Sequence, residues 1–430
     1  MANVTLREVL EVTNGRLLGN FSNLDVEISA VEQNTRHLVG GSMFIPYKGK
    51  NVDGHTFIRE ALENGCIGCL TEKPFDSYVD GKFYVLVDNA VDALWKVVAL
   101  KRKKIHAKLI CVTGSVGKTT TTGMIASVLG QKYSVFKTED NWNDEFLCPE
   151  MMFKIQDSHD FAVMELGLGE HSSVKKMAGF LKPDAVVLTH IGHAHIGKTG
   201  SLEATRDEKC GTENGLLNDG VVFANVDDPL IAAYHFSHNV VPYGRNKDGK
   251  FLPEIKRHLE YAAYAAIEVG SYYGLSMVSI FSGISQFHPE AGRMDVIHKN
   301  GFTLIDSSFN ASIESIEMAI NTLSGFSGNR VAVLGEMLEV GDYSETLHRK
   351  VGELVTDEKV DVLISVGEHA RTVANAAGKN VVKYSARSID DAINVVDALI
   401  KARADNVILC KGSHGSNVWM IADHLKSAGE

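Results

Sequence analysis

The sequence predicts an α/β protein of three domains, the middle one built on a doubly wound, mostly parallel sheet. Three observations carry that prediction. Four near-continuously apolar runs, LICVTGS, FAVMELG, AVVLTHIG and GVVFANVD, alternate with helical stretches after Lys108. Strands buried on both faces read this way. The first run breaks at Gly114 and resumes with helical spacing at Met124, Ile125, Val128 and Leu129, which describes strand, tight turn and helix. From about Gly292 a second series, RVAVLGE, DVLISVGE, VVKYS and NVILCKGS, is separated by helical stretches and describes a second, Rossmann-like sheet.

A chain of 430 residues has room for two to four domains with their own cores. The pattern divides it into 1–105, 106–292 and 293–430. In the first section TLREVLEV reads as a helix, VEISAVEQ and SMFIPY as strands, and TFIREALENG as a helix ended by glycine. KFYVLVDN is a further strand before a helix at 91–103. In the second, HSSVKKMAGFLK and SLEATRDEKCGTENGLL are the helices between strands. In the third, MDVIHKNGFTLIDSS reads as a hairpin turning at Asn300-Gly301.

Composition narrows the function classes. A formal net charge of −11 argues against a nucleic-acid binder, which needs a basic face. The one basic run, KRKK at 101–104, reads as a solvated helix end. The start, MANVTLREVLEV, has no signal-peptide pattern, and no run approaches the roughly 20 apolar residues of a membrane helix. Six scattered cysteines, including a lone CxxC at Cys66 and Cys69, read as small buried residues of a reducing cytoplasm. No feature demands an oligomer, so a monomer is the expected state.

The turn Gly114, Ser115, Val116, Gly117 opens a helix with Lys118, Thr119 and Thr120. It gathers backbone N–H groups and a helix N-terminus around one point, the geometry of a phosphate-binding P-loop. Lys118 adds a point charge and Thr119 a hydroxyl able to ligate Mg²⁺. An ordinary βα turn is the competing reading, and the Gly-Lys-Thr-Thr placement between strand and helix favours phosphate. Ligands collect at the carboxyl ends of parallel strands. There Glu165 ends FAVMELG; His190, His193 and His195 follow AVVLTHIG; and Asn225, Asp227 and Asp228 end GVVFANVDD. A phosphate loop facing a carboxylate and a histidine suits an Mg²⁺–nucleotide. The HxHxH spacing also invites zinc, but one short loop rarely supplies a whole tetrahedral shell.

The runs TGSVGKTTTT, DNWNDEFLCPE, MELG, HIGHAHIGKTGSLEATRDEK, AGRMDVI, IDSSFNASIES and LGEMLEVGDYSETLHRKVGE, in this order, resemble the Mur ligases. NTRHLVGGSMFIPYKGKNVDGHTFIREALENG is similar to the first domain of the members that join D-Ala-D-Ala to a UDP-MurNAc-tripeptide. The resemblance implies an ATP-dependent amide ligase. ATP converts a carboxylate to an acyl phosphate, an amine attacks, and phosphate leaves. It implies that Lys118 and the loop hold the β- and γ-phosphates, that Thr119 and Glu165 hold one Mg²⁺ and that His195 holds a second. It implies that Lys209 reacts with CO₂ to become a carbamate. An ammonium beside two Mg²⁺ ions would be repelled, whereas a carbamate is anionic and can ligate. Asn141 and Asn143 match positions near the γ-phosphate and the acceptor carboxylate. The resemblance further implies that Arg293 stands at a hinge about which the third domain closes, and Asp306 and Asn310 in that domain's nucleotide-facing loop. Arg36, Lys48 and His55 match the surface for the UDP-sugar, and His348 with 411–413 the amine side.

The chain departs from the family in places. After NVVPYG it reaches RHLEYAAYAAIEVG within about a dozen residues, where the family carries an extra β-rich segment. Leu259 and Ala262 stand where two asparagines are usual, beside a retained His258. Ser307, Ser312 and Ile313 replace an Asp, an Asn and a Pro, and HGSN at 414–417 replaces an Arg-bearing stretch. Each lost buried asparagine contact costs ligand binding about 1–3 kcal/mol. Three functions are therefore carried forward: the D-Ala-D-Ala ligation itself, in cytoplasmic peptidoglycan precursor synthesis; a paralogue joining a different acid and amine; and a non-catalytic nucleotide-binding scaffold.

Overall fold

The computed structural model describes residues 3–49, 52–139, 142–169, 173–245 and 257–428, and four sheets organise them. The N-terminal strands are β1 (Val4–Thr5), β2 (Arg16–Leu18), β3 (Glu27–Ile28), β4 (Ala30–Glu32), β5 (Ser42–Phe44), β6 (Gly68–Thr71) and β7 (Phe83–Leu86). β1 pairs with β3, and the others form a five-stranded sheet in the order β2-β7-β6-β5-β4. The first helix, Leu6–Thr13, starts where Thr5 and Glu8 form a reciprocal capping box and stops at Asn14 in the left-handed region. It buries Leu6 and Val9 towards the longer helix Ala90–Lys104, which Asn89 caps.

That longer helix corrects one expectation. Its basic end is an internal staple rather than a solvated run. Lys101 is buried with its ammonium 5.5 Å from the centre of the Phe153 ring. Arg102 donates to the Leu181 carbonyl at 2.9 Å and to the Asp184 carboxylate at 2.8 Å. Lys104 reaches Glu8 at 2.7 Å and the Asn3 carbonyl at 2.9 Å. Arg102 is held because it satisfies the helix-end Leu181 carbonyl and a carboxylate that the join between the first two sections would otherwise leave short of a donor. A single apolar cluster runs through that join, from Val4 and Leu6 through Leu94 and Val98 to Met151, Leu181 and Val222.

The central sheet contains β8 (Lys108–Thr113), β9 (Val135–Lys137), β10 (Phe161–Glu165), β11 (Ala185–Leu188), β12 (Val221–Asn225) and β13 (Asn239–Tyr243). Its order is β13-β12-β11-β8-β10-β9, and every pair is parallel. β8, β10, β11 and β12 are the four apolar runs read in the sequence. β9 and β13 are the edge strands and were not.

The third sheet contains β14 (Asp295–Lys299), β15 (Phe302–Ser307), β16 (Asn329–Leu334), β17 (Val362–Val366), β18 (Val382–Ala386) and β19 (Asn406–Lys411), in the order β14-β15-β19-β16-β17-β18. Only β14–β15 is antiparallel, and it is the expected hairpin, with Gly301 at φ +93°. The last strand in sequence sits in the middle, so loops after β15, β16 and β19 meet at one edge. All six cysteines are free and buried. Among the described residues no helix is long and apolar enough to cross a membrane.

Candidate functional site

The turn after β8 is held from below. The Ser115 N–H donates to the His190 carbonyl at 2.6 Å, and its hydroxyl exchanges hydrogen bonds with Gly192 at 2.9 and 3.1 Å. Thr189 donates to the Val116 carbonyl at 2.7 Å. Gly114 must lack a side chain, since a Cβ there would stand 1.9 Å from Thr189 Oγ1. Gly117 takes φ +82° and so releases the chain into helix Lys118–Leu129, whose first turn contains Thr119 and Thr120.

The groups expected around the turn converge. Buried Thr119 donates to Glu165 Oε2 at 2.6 Å, and Asn143 Nδ2 donates to Oε1 at 2.6 Å. Thr138 accepts the Glu165 backbone N–H at 3.0 Å. Lys209, in helix Leu202–Cys210, is fully buried, and its Nζ donates to the Gly114 carbonyl at 2.8 Å. Burial, reinforced by the Lys118 charge, holds its amine well below the lysine range. Burial also lowers Lys118, with Glu165 opposing and Arg293 assisting. Arg293 follows Gly292 (φ +74°), precedes Met294 (φ +65°), and lies with its guanidinium 4.1 Å from the centre of the Phe309 ring. Asn141 lies outside the described residues.

The three histidines go to three different carboxylates. His190 Nδ1 meets Asp228 at 2.6 Å, His193 Nδ1 meets Glu314 at 2.6 Å, and His195 Nδ1 meets Glu339 at 2.5 Å. Such dispersal does not build a zinc shell. Burial lowers His195, and the Lys118 and Lys209 charges add to that against the pull of Glu339. Glu314 and Glu339 belong to the third section; both stand in runs quoted for the family resemblance, IDSSFNASIES and LGEMLEVGDYSETLHRKVGE, but the resemblance gives neither a role there.

The remaining expected residues are placed as follows. Asp306 is buried at the end of β15, bonded by Ser308 at 2.6 Å and paired with Lys426 at 2.7 Å. Asn310 is exposed and accepts the Ala311 N–H at 2.8 Å. Lys411, buried at the end of β19, donates to the carbonyls of Ser307 and Asn310 at 3.3 and 2.8 Å, so it pins the loop in which Asn310 stands. Burial pushes its pKa down to about 7. His348 is buried; its Nε2 accepts the Met337 N–H at 3.0 Å and its Nδ1 donates to the Ser344 carbonyl at 2.8 Å. Both its ring nitrogens are thus committed within the third section. In the first section Arg36 is exposed. His55 is buried, bonded to Asp53 at 2.8 Å and to the Glu72 N–H at 3.3 Å. Lys48 lines a cleft of about 460 Å³ with Tyr47, Glu72, Phe146, Lys176 and Phe180, between the first and second sections. The Tyr47 and Phe146 rings stack there at 4.4 Å. At the altered helix start, Leu259 precedes Glu260, which is buried in an ion pair with Arg245 and bonded by Tyr264.

Comparison with known proteins gives two family matches, the Mur ligase middle domain over residues 112–280 and the Mur ligase glutamate ligase domain over 292–414. The chain is 29% identical to the UDP-N-acetylmuramoyl-tripeptide–D-alanyl-D-alanine ligase of Bacillus subtilis, with 98% of each chain covered. It is 31% identical to the enzyme of that name from Synechocystis sp., covering 93% of this chain and 92% of the other. Among solved structures, MurF from Acinetobacter baumannii superposes with a TM-score of 0.88 at 24% identity, over 98% of both chains.

Proposed function

The chain belongs to the Mur ligase family, and on that premise we propose that it joins D-Ala-D-Ala to a UDP-MurNAc-tripeptide with conversion of ATP to ADP and phosphate. The observation that carries the reading is the convergence of Thr119, Asn143 and Glu165 beside a buried Lys209 on the carboxyl edge of one parallel sheet. The similarity to relatives of that name extends over nearly the whole chain.

The reaction has two steps. A carboxylate oxygen of the tripeptide attacks the γ-phosphorus, the bond to the β-phosphate oxygen breaks, and ADP leaves. The amine of D-Ala-D-Ala then attacks the acyl carbon, its proton is lost, and inorganic phosphate departs from the tetrahedral intermediate. Lys118 and the N–H groups of the turn other than that of Ser115 bind the transferring phosphate, and their preset orientation lowers the barrier. Asn143 orients Glu165 and stands where the acid approaches. The hydroxyl of Thr119 and the carboxylate of Glu165 are hard oxygen donors that fit Mg²⁺, with His195 and Lys209 as further ligands. Bound there, Mg²⁺ neutralises charge on the phosphate oxygens. Burial favours the uncharged amine of Lys209, the form that adds CO₂ to give a carbamate and a proton. The carbamate then presents oxygens where an ammonium could not serve.

The UDP-linked acid occupies the cleft lined by Lys48, Tyr47 and Phe146, with Arg36 on the outer surface and His55 holding the cleft wall. Arg293 and Asn310 face the nucleotide from the third domain, and the amine enters over the ends of β16 and β19. The protein acts as a monomer in the cytoplasm. The test is ADP release in ATP, Mg²⁺ and bicarbonate with the two substrates together and singly. Release only with both supports the reading. Release with another acid and amine supports the paralogue, which the Arg245–Glu260 closure of the altered helix start favours. Silence across a broad panel supports the scaffold.

A further inference from the structure

His195 and Glu339 face each other across the boundary between the central and third domains, and both are non-glycine residues in the left-handed region, each at φ +62°. Such a conformation is uncommon outside glycine, persists only when the surroundings determine it, and concentrates at functional sites. Here the surroundings are a close clasp. The Gly197 N–H donates to the Glu339 carbonyl at 3.2 Å, and the Tyr343 hydroxyl donates to the Gly200 carbonyl at 3.1 Å. Gly197 and Gly341 pack backbone to backbone, so that a Cβ on Gly197 would stand 2.7 Å from the Gly341 nitrogen. Within the clasp, Glu339 Oε2 lies 2.5 Å from His195 Nδ1.

The chemistry of that contact is directional. An ionised carboxylate only accepts, so the neutral imidazole carries its proton on Nδ1 and leaves Nε2 with a free lone pair. This is the tautomer a metal requires, and a carboxylate behind the ring also fixes its angle and raises its basicity. Glu339 reaches the ring from the third domain. We propose that Glu339 is a positioning residue, through which seating of the third domain on the central one orients His195 for a divalent cation at the nucleotide site. The proposal rests on the ligase reading above. Its consequence is reciprocal: a cation held by His195 strengthens the clasp by as much as the clasp strengthens cation binding.

The test is an electron paramagnetic resonance titration of Mn²⁺ into the full-length protein saturated with ADP. Glu339→Ala is expected to weaken Mn²⁺ binding about 10-fold or more. Tyr343→Phe, which removes one hydroxyl bond of the same clasp and leaves Glu339 in place, is expected to weaken Mn²⁺ binding by clearly less than Glu339→Ala does. Should Glu339→Ala fail to fold, Glu339→Gln retains an acceptor oxygen without the charge and is expected to weaken binding several-fold. Unchanged Mn²⁺ affinity in the folded Glu339 variant, or an equal loss in Tyr343→Phe, overturns the positioning role alone. A wild-type protein that binds no Mn²⁺ in the presence of ADP overturns the ligase reading and this proposal with it.

Discussion

Thr119 Oγ1 and Glu165 Oε2 lie 2.6 Å apart although 46 residues separate them in the chain. The parallel pairing of β8 with β10 brings them together, because it sets the strand entering the turn beside the strand ending in Glu165. Thr119→Val keeps the branched shape and removes the hydroxyl. ATP turnover should fall about 100-fold or more, with the Mg²⁺ concentration for half-maximal rate shifted upward. An unchanged Mg²⁺ requirement in steady-state assays would count against the ligand role.

Lys209→Ala should reduce ligation by about 1,000-fold or more while ADP binding stays within about threefold of wild type. Two measurements separate the roles: calorimetry for ADP, and ¹³C NMR in labelled bicarbonate, where wild type alone should show a carbamate signal. A variant turning over at the wild-type rate would refute the carbamate.

Glu32 and Glu150 lie close together where the first two domains meet, and burial raises both to about 7, Glu32 adding to the rise at Glu150. A carboxyl with a raised folded pKa binds its proton more tightly in the folded chain. Its contribution to stability is therefore lost as pH climbs from about 4.5 through about 7. Glu150→Gln should stabilise the protein by about 1–2 kcal/mol at pH 8 and by almost nothing at pH 4. Thermal unfolding at the two pH values checks this, and an equal gain at both would dismiss the titration argument.

Arg102→Ala should destabilise the fold by about 2–3 kcal/mol, because it leaves the buried Leu181 carbonyl and the Asp184 carboxylate short of a donor. Urea unfolding measures the loss. A change under about 0.5 kcal/mol would show that water replaces the guanidinium without cost.

What the sequence revealed was what local spacing encodes. The turn at 114–119, the hairpin at Asn300-Gly301 and the apolar strands β8, β10, β11 and β12 are each written in consecutive residues. β9 was missed because Val135–Lys137 has only three residues, and β13 because Asn239–Tyr243 is mostly half-exposed and contains a proline. The basic run at 101–104 was misread because its partners, Leu181 and Asp184, are about 80 residues away. Glu314 and Glu339 escaped for the same reason. Each has the composition of an ordinary helix start or loop, and only the approach of the third domain gives it a histidine. The backbone bonds of His348 were likewise not legible: its imidazole, with one acceptor and one donor nitrogen, satisfies the Met337 N–H and the Ser344 carbonyl at once.

The apolar cluster that passes without interruption from Val4 to Val222 bears on protein engineering. A chimaera that exchanged residues 1–105 for those of a homologue would have to bring compatible counterparts for helices Leu147–Lys154 and Val174–Leu181, against which helix Ala90–Lys104 rests. Transplanting specificity for a new acid is therefore a problem of matching two halves of one interior.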